Sequence, residues 1–262
     1  MPLIVLLVGW ATGIGINVLA DALPFRRRPS WTSCPGCGAP RSRLEHSAVL
    51  ASLTYRVSCI YCGHSAGWRP VWVELLCIAG AGWLMLRNPE PLALLRDGVI
   101  LALFLLIVVI DIEHRLILFS VSIPAMVVIA ILQSLDPQRG PVKTLLGGVV
   151  GFASFYLLYL LGGVFSRTIG RARRQPIDEV AFGFGDVMLA GLIGLTVGWP
   201  GVLVALFLGI LAAGLFSLAY VLILLARRRY NAFLPIPYGP FLVLGALAVY
   251  FGGRTAFERL LL

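Results

Sequence analysis

Apolar residues occur in long blocks along this chain, and most of the blocks are too long to be strands. A helix that crosses the hydrocarbon core of a bilayer, about 30 Å thick, needs about 20 mostly apolar residues. Eight blocks approach this length, and several of them are short or interrupted by glycine. The blocks are 3–20, 71–86, 97–112, 117–135, 145–165, 180–199, 202–226 and 237–252. The pattern predicts an all-α polytopic membrane protein with about eight transmembrane helices.

The composition and the placement of charge support a lipid environment. Of the 262 residues, 59% are hydrophobic and 13% are charged, whereas a soluble domain carries roughly 25% charged residues. The net charge is +9, and most of the 21 Lys and Arg residues fall on one side of the eight-helix topology. Basic residues collect on the cytoplasmic side of membrane proteins, which predicts an outside N terminus. The excess charge therefore requires no nucleic-acid partner.

Residues 21–70 differ from the rest of the chain, because they are polar, rich in arginine and hold four of the five cysteines. Arg26 to Arg28 follow the first block instead of preceding it, so that block is not expected to be a cleavable signal peptide. Residues 52–58 mix β-forming and polar residues and favour a small hairpin. The expected parts are a first transmembrane helix (1–20), a cytoplasmic four-cysteine domain (21–70) and a seven-helix membrane domain (71–262).

The four cysteines form two C-x2-C pairs, which strongly indicate a zinc site. The pairs are Cys34-x2-Cys37 and Cys59-x2-Cys62. Gly38 and Gly63 directly follow them, where a tight turn benefits from a positive φ. Two disulfides are the alternative, which a reducing cytoplasm disfavours. Four thiolates around one Zn²⁺ leave no open position for water, so the metal is expected to be structural.

Two acidic residues lie within predicted spans, where an ionisable group is costly and is a functional candidate. Counting residues from the span ends at about 1.5 Å each places Asp111 roughly 7 Å and Asp186 roughly 9 Å below the cytoplasmic surface. The two spans run through the bilayer in opposite directions. The two carboxyl groups are therefore expected to face each other at one depth.

A facing pair of carboxyl groups is suited to aspartyl proteolysis. In a low-dielectric site the pair shares one proton. One carboxylate activates a water as general base, while the other group protonates the carbonyl or the leaving amine. Gly183 and Gly185 loosen the start of the helix that carries Asp186, which admits water and an extended substrate. We therefore expect Asp111 and Asp186 to be catalytic and the two glycines to support them.

Other interpretations fit the same residues. Asp111 could form an i, i+4 ion pair with Arg115, and Asp186 could cap its own helix. Buried aspartates also occur in ion-coupled transporters, which are built from internal repeats that this sequence does not show. A third hypothesis is a non-catalytic, zinc-containing membrane assembly factor. It predicts that replacing either aspartate by asparagine alters only stability.

Several motifs, in order along nearly the whole chain, resemble the bacterial type IV prepilin peptidases. They are the two cysteine pairs, Pro70-x3-Glu74, Ile110-Asp111-Ile-Glu-His-Arg, Gly183-Phe-Gly185-Asp186 and Ile236-Pro-Tyr-Gly-Pro240. The resemblance implies a multi-pass enzyme of the bacterial cytoplasmic membrane that cleaves leader peptides from prepilins or pseudopilins with Asp111 and Asp186. It also implies N-methylation of the new N terminus with S-adenosylmethionine as cofactor. Two positions depart from the family pattern: Leu118-Phe119 replaces a common Pro-Asp pair, and Met188 replaces the usual lysine.

Overall fold

The computed structural model describes residues 2–25, 33–34, 36–40, 46–53, 58–63, 67–87, 90–137, 139–173, 183–227 and 237–252, without the side chains of 165–173. In this part of the chain the regular structure is helical, apart from isolated bridge positions at Ser33, Pro40 and Ser58, of which Ser33 and Pro40 pair with each other. The helices are α1 (Pro2–Ala22), α2 (Ala48–Leu53), α3 (Arg69–Arg87), α4 (Pro91–His114), α5 (Phe119–Ser134), α6 (Gly140–Arg173), α7 (Phe184–Val197), α8 (Gly201–Ala226) and α9 (Gly239–Gly252).

All of these helices except α2 coincide, in order, with the eight apolar blocks, which confirms the predicted all-α polytopic fold. Five of them, α1, α3, α4, α6 and α8, are long and apolar enough to cross a membrane. The other three, α5, α7 and α9, are shorter apolar helices of 14 to 16 residues. The chain is therefore a multi-pass membrane protein.

Helix α2 overlaps the first two residues of the segment 52–58, for which the sequence favours a hairpin. The prediction is wrong at Ser52 and Leu53, which end this helix, whereas Ser58 is a β-bridge residue. Residues 54–57 lie outside the described part of the chain. A tertiary contact stabilises the start of α2: the backbone N–H groups of Ala48 and Val49 donate to the Glu74 carboxylate at 2.7 and 3.2 Å. Six residues are too few for a helix to be stable alone, so the hydrogen bonds to Glu74 supply stability that the helix propensity of these residues does not.

The chain forms two compact units, Met1–Ile110 and Asp111–Leu262. Unit 1 holds α1 to α3 and most of α4, and unit 2 holds the last turn of α4 and α5 to α9. In unit 1, α1 packs closely on α3, because a Cβ added at Gly13 would lie 2.7 Å from the Cα of Glu74. Small residues of this kind let helix backbones approach in a membrane, where lipid supplies no hydrophobic force between helices.

Helix α7 is the most deeply buried helix described in unit 2. Every residue from Leu189 to Val197 is buried. Its packing on α6 is close, since a Cβ at Gly194 would overlap the carbonyl group of Gly147. Because α7 carries Asp186 in its first turn, this packing also holds the backbone that positions that carboxyl group.

Candidate active site

Asp111 lies in the last turn of α4 and is only 5% exposed. Its Oδ2 accepts a hydrogen bond of 3.0 Å from the backbone N–H of Gly239, the first residue of α9. A Cβ added at Gly239 would stand 2.6 Å from that oxygen, so the contact requires glycine. The ion pair considered for Asp111 and Arg115 is not among the contacts of the described residues. Arg115 instead directly follows the last residue of α4 and has a φ of +54°.

Asp186 is the third residue of α7, and its side chain does cap that helix. Its Oδ2 accepts the backbone N–H of Gly183, the N-cap residue, at 3.2 Å. The backbone N–H of Asp186 in turn donates to the carbonyl oxygen of Gly183 at 3.1 Å. The capping interpretation is therefore correct as geometry, and it holds the carboxyl group at the start of the helix.

The start of α9 brings the segments that carry Asp111 and Asp186 together in unit 2. A Cβ added at Gly239 would lie 2.6 Å from the Asp111 Oδ2 and 3.5 Å from Cδ2 of Leu189, which follows Asp186 by three residues in α7. Three segments thus meet at this point: the end of α4, the start of α7 and the start of α9. Two carboxyl groups that face each other can share a proton and divide general acid and base catalysis between them.

The two glycines predicted to support Asp186 have different environments. A Cβ at Gly185 would lie 2.8 Å from Cβ of Ile117 and 3.3 Å from its carbonyl oxygen. A Cβ at Gly183 would meet nothing closer than the Asp186 Oδ2 at 3.8 Å. Its φ of −76° and ψ of 150° are accessible to any residue. Glycine is therefore needed at 185 for packing, whereas position 183 contributes its backbone N–H.

Aromatic side chains surround Phe184, which lies between these glycines. Its ring centroid is 5.8 to 6.4 Å from four others, those of Phe119, Phe152, Tyr156 and Tyr159. Phe119, one of the two positions that depart from the family pattern, thus packs within an aromatic cluster beside Asp186. Such contacts stabilise the packing of α5, α6 and α7 around the start of α7.

The four cysteines converge as predicted. The Sγ atoms of Cys34 and Cys62 are 3.8 Å apart, as are those of Cys37 and Cys59, and all four lie within 4.8 Å of one another. A tetrahedron with metal–sulfur bonds of about 2.3 Å has sulfur–sulfur edges of about 3.8 Å, whereas a disulfide measures about 2.05 Å. The cysteines are free thiols, so the geometry fits one metal ion and not two disulfides.

The turns around the cysteines have the conformation expected of metal-binding knuckles. Gly38 and Gly63 have φ values of +73° and +68°, which confirms the prediction of a positive φ. Burial opposes ionisation of Cys34, but the backbone N–H groups of Cys37 and Gly36 lower its pKa to about 6. The backbone N–H groups of Tyr61 and Cys62 likewise lower the pKa of Cys59. Thiolates are the metal-binding form of cysteine.

Gly239 is the residue of this site that sequence reasoning did not assign. It lies 128 positions from Asp111, and no spacing rule links them. The available signal was the pair of prolines around Tyr238 and Gly239, since Pro240 lacks an N–H group and suits the first turn of a helix. That signal indicates where α9 begins, but it does not indicate which side chain accepts a hydrogen bond from the first backbone N–H of the helix.

Residues 98–218 match the type IV leader peptidase family. The match contains both Asp111 and Asp186 and confirms the resemblance seen in the motifs. The cysteine cluster and Gly239 lie outside it.

Relatives named prepilin leader peptidase/N-methyltransferase match most of the chain. The protein of Burkholderia pseudomallei is 27% identical over 98% of this chain and 86% of its own length. That of Myxococcus xanthus is 27% identical over 85% of this chain and 63% of its own length. That of Bacillus subtilis is 27% identical over 86% of this chain and 82% of its own length. No solved structure matches the chain.

Proposed function

We propose that this protein cleaves leader peptides from type IV prepilins or pseudopilins by an aspartyl mechanism. The observation that supports the proposal is that Asp111 and Asp186 each accept a backbone N–H in unit 2, within the residues that match the type IV leader peptidase family. The matched relatives are named for leader peptidase activity.

The two carboxyl groups divide the chemistry of peptide hydrolysis. The ionised member takes a proton from a water molecule, which attacks the scissile carbonyl carbon. The protonated member first donates a hydrogen bond to the carbonyl oxygen and then supplies the proton to the departing amine as the C–N bond breaks. The donors at Gly183 and Gly239 each engage Oδ2 of one carboxyl group, and the other oxygen of each group would act on water or substrate.

The membrane arrangement completes the proposal. The N terminus lies outside and the 21–70 segment lies in the cytoplasm, which places both aspartates near the cytoplasmic face of the bacterial inner membrane. The cysteine cluster binds one structural Zn²⁺ with Cys34, Cys37, Cys59 and Cys62 as its ligands. Metal analysis of the purified protein tests this, with one zinc per chain as the expected result and no bound metal as the contrary one.

The proposal includes a second activity, because the matched relatives are also named N-methyltransferases. After cleavage the substrate exposes a new amino group, and S-adenosylmethionine supplies the methyl group that this amine accepts. Neither the two predicted catalytic aspartates nor the cysteine cluster indicates which residues bind that cofactor.

The deciding experiment is co-expression with a prepilin, followed by mass spectrometry of the substrate N terminus. We expect leader loss with the wild type and a fall of about 10²–10⁴-fold in rate with Asp111→Asn or Asp186→Asn. Glu113→Gln is the matched control, since it neutralises an exposed acid two residues from Asp111. Leader cleavage that survives both aspartate substitutions in folded protein would reject the aspartyl mechanism and favour the assembly factor.

A further inference from the structure

The ends of α1 and α3 mark one surface of the bilayer in unit 1. Helix α1 ends and α3 begins at the same level, because Arg69 pairs with Asp21 at 2.6 Å and Asn17 Nδ2 donates to the carbonyl oxygen of Pro70 at 3.0 Å. The two helices have 21 and 19 residues, about 31 and 28 Å of helix, so each matches a hydrocarbon core of about 30 Å. Residues at the level of Asp21 and Pro70 therefore lie at the membrane surface.

The segment between the two cysteine pairs reaches into this surface. Glu74 lies five residues after the start of α3, which places its Cα about 7 Å deeper at about 1.5 Å per residue. Its buried carboxylate accepts hydrogen bonds from Ser47 Oγ at 2.5 Å and from the backbone N–H groups of Ala48 and Val49. The headgroup layer is roughly 5–7 Å thick on each side of the core. The start of α2 is thus held within that layer and not beyond it.

The second cysteine knuckle (59–62) lies beside the same surface. Ile60 and Tyr61, at its tip, line a narrow cleft together with Asp21 in the last turn of α1 and Pro70 in the first turn of α3. Most of the surface of the two tip residues faces away from the protein, since Ile60 is 82% and Tyr61 69% exposed. The knuckle therefore presents two large side chains at the level where lipid headgroups begin.

Bulky residues are not needed to form such a knuckle. The first knuckle (34–37) has Pro35 and Gly36 at the matching positions of the sequence. A structural requirement of the turn therefore does not account for Ile60 and Tyr61, whereas contact with a partner does.

Aromatic residues next to the knuckle point to lipid as that partner. Trp68, just before α3, is 74% exposed, and Trp72, in its first turn, is 62% exposed. Tryptophan and tyrosine collect at membrane interfaces, because their rings are apolar and their N–H or O–H groups are polar. Tyr61 lies at the level of these two residues and has the same amphipathic character.

The charge of the segment favours the same partner. Residues 21–70 contain seven arginines and two acidic residues, Asp21 and Glu45. Basic segments beside a membrane helix are attracted to anionic headgroups. An apolar tip within a basic segment is typical of a part of a protein that lies in the interface.

We propose that the second knuckle docks on the bilayer that the protein spans, with Ile60 and Tyr61 inserted among the lipid headgroups. The four-cysteine segment is then held against the membrane surface and does not extend into water as a separate domain. This docking goes beyond the proposed leader cleavage and is independent of it.

A fluorescent amino acid at the tip of each knuckle tests the docking in full-length protein reconstituted into nanodiscs. Acridonylalanine replaces Tyr61 in the second knuckle or, as the matched control, the exposed Gly36 in the first. Quenching by doxyl-labelled phospholipid reports contact with the bilayer, and quenching by iodide reports contact with water. We expect the probe at 61 to be quenched by the labelled lipid and to be quenched by iodide several-fold less than the probe at 36.

Two results at position 61 would overturn the proposal. Iodide quenching equal to that at 36, without quenching by lipid, would place the knuckle in water. Protection from both quenchers would show that another part of the protein covers it.

A charge at the tip provides a second test. In the protein labelled at 61, Ile60→Asp is expected to raise iodide quenching several-fold, because a carboxylate resists insertion, whereas Ile60→Leu leaves it unchanged. Equal quenching of the two variants would reject insertion of position 60.

The wild type offers a test without any substitution. We would irradiate nanodiscs that contain a phospholipid with a diazirine in its headgroup and locate the adducts by fragmentation mass spectrometry. Lipid adducts on Ile60 or Tyr61 are expected. Adducts on Trp68 and Trp72 with none on the knuckle would overturn the proposal, whatever the outcome of the leader cleavage assay.

Discussion

Replacing Gly239 by alanine tests whether the start of α9 positions Asp111 for catalysis. The new Cβ would stand 2.6 Å from Oδ2 and 3.2 Å from Cγ of Asp111, and 3.5 Å from Cδ2 of Leu189. The first two distances are shorter than carbon makes with either atom, so the carboxyl group and the helix start must separate. The hydrogen bond of 3.0 Å between Gly239 N–H and Asp111 is then lost or lengthened.

The expected size of the effect follows from that bond. A hydrogen bond to a charged group contributes about 1.5–3 kcal/mol. If catalysis depends on it, the same energy appears in the activation barrier and lowers the rate by about 10- to 150-fold. The loss is expected in kcat, since the contact orients a reacting group and does not itself bind substrate.

Steady-state cleavage of a purified prepilin, with kcat and KM measured separately, is the assay. Gly214→Ala is the matched control, because a Cβ at Gly214 in α8 has no atom within 4 Å. We expect the control to cleave at the wild-type rate with an unchanged unfolding temperature. A Gly239→Ala enzyme whose kcat stays within about twofold of wild type would refute the claim that this contact positions Asp111.

The remaining predictions concern the glycines before Asp186 and the metal. Gly185→Ala is expected to destabilise the protein by about 1–3 kcal/mol and to lower the rate of leader cleavage, because its Cβ would overlap Ile117. Gly183→Ala is expected to keep the wild-type stability and cleavage rate, because its Cβ meets no close atom. Thermal unfolding and leader cleavage check this, and equal behaviour of the two variants would contradict it. Cys37→Ser, or treatment with a chelator, is expected to release the metal and open 33–63 to limited proteolysis while 183–227 remains protected. Equal digestion of both segments would speak against a purely local role of the metal.

The sequence was sufficient to predict the eight apolar helices, since each is specified by a long run of mostly apolar residues. It was less informative about their ends. Helix α7 begins at Phe184, four residues after the predicted start at 180, because the extended backbone of Gly183 forms its N-cap. Helix α2 was not predictable, because its six residues depend on a carboxylate from α3. The sequence of the helix itself does not indicate that a carboxylate from a distant helix will accept its N–H groups.

The two aspartates and the four cysteines were predictable for a different reason. An acidic residue in an apolar block and a pair of C-x2-C motifs are exceptions to their surroundings, so single positions carry the signal. The residues that form hydrogen bonds with the aspartates carry no such signal in the sequence. Gly239 is one of 29 glycines in the sequence, and only the fold shows that its backbone N–H donates to Asp111.

The shortness of α7 and α9 explains why backbone groups serve this site. Each has 14 residues, about 21 Å of helix, whereas the hydrocarbon core is about 30 Å thick. The N terminus of such a helix leaves unpaired N–H groups at a depth where lipid offers no acceptor. Asp186 and Asp111 accept from Gly183 and Gly239 at those two helix starts. The hydrogen bonds that satisfy the first N–H groups of these short helices in the membrane therefore also hold the proposed catalytic pair. If either helix were extended toward the surface, its first N–H group would bond within the helix and the aspartate would lose that donor.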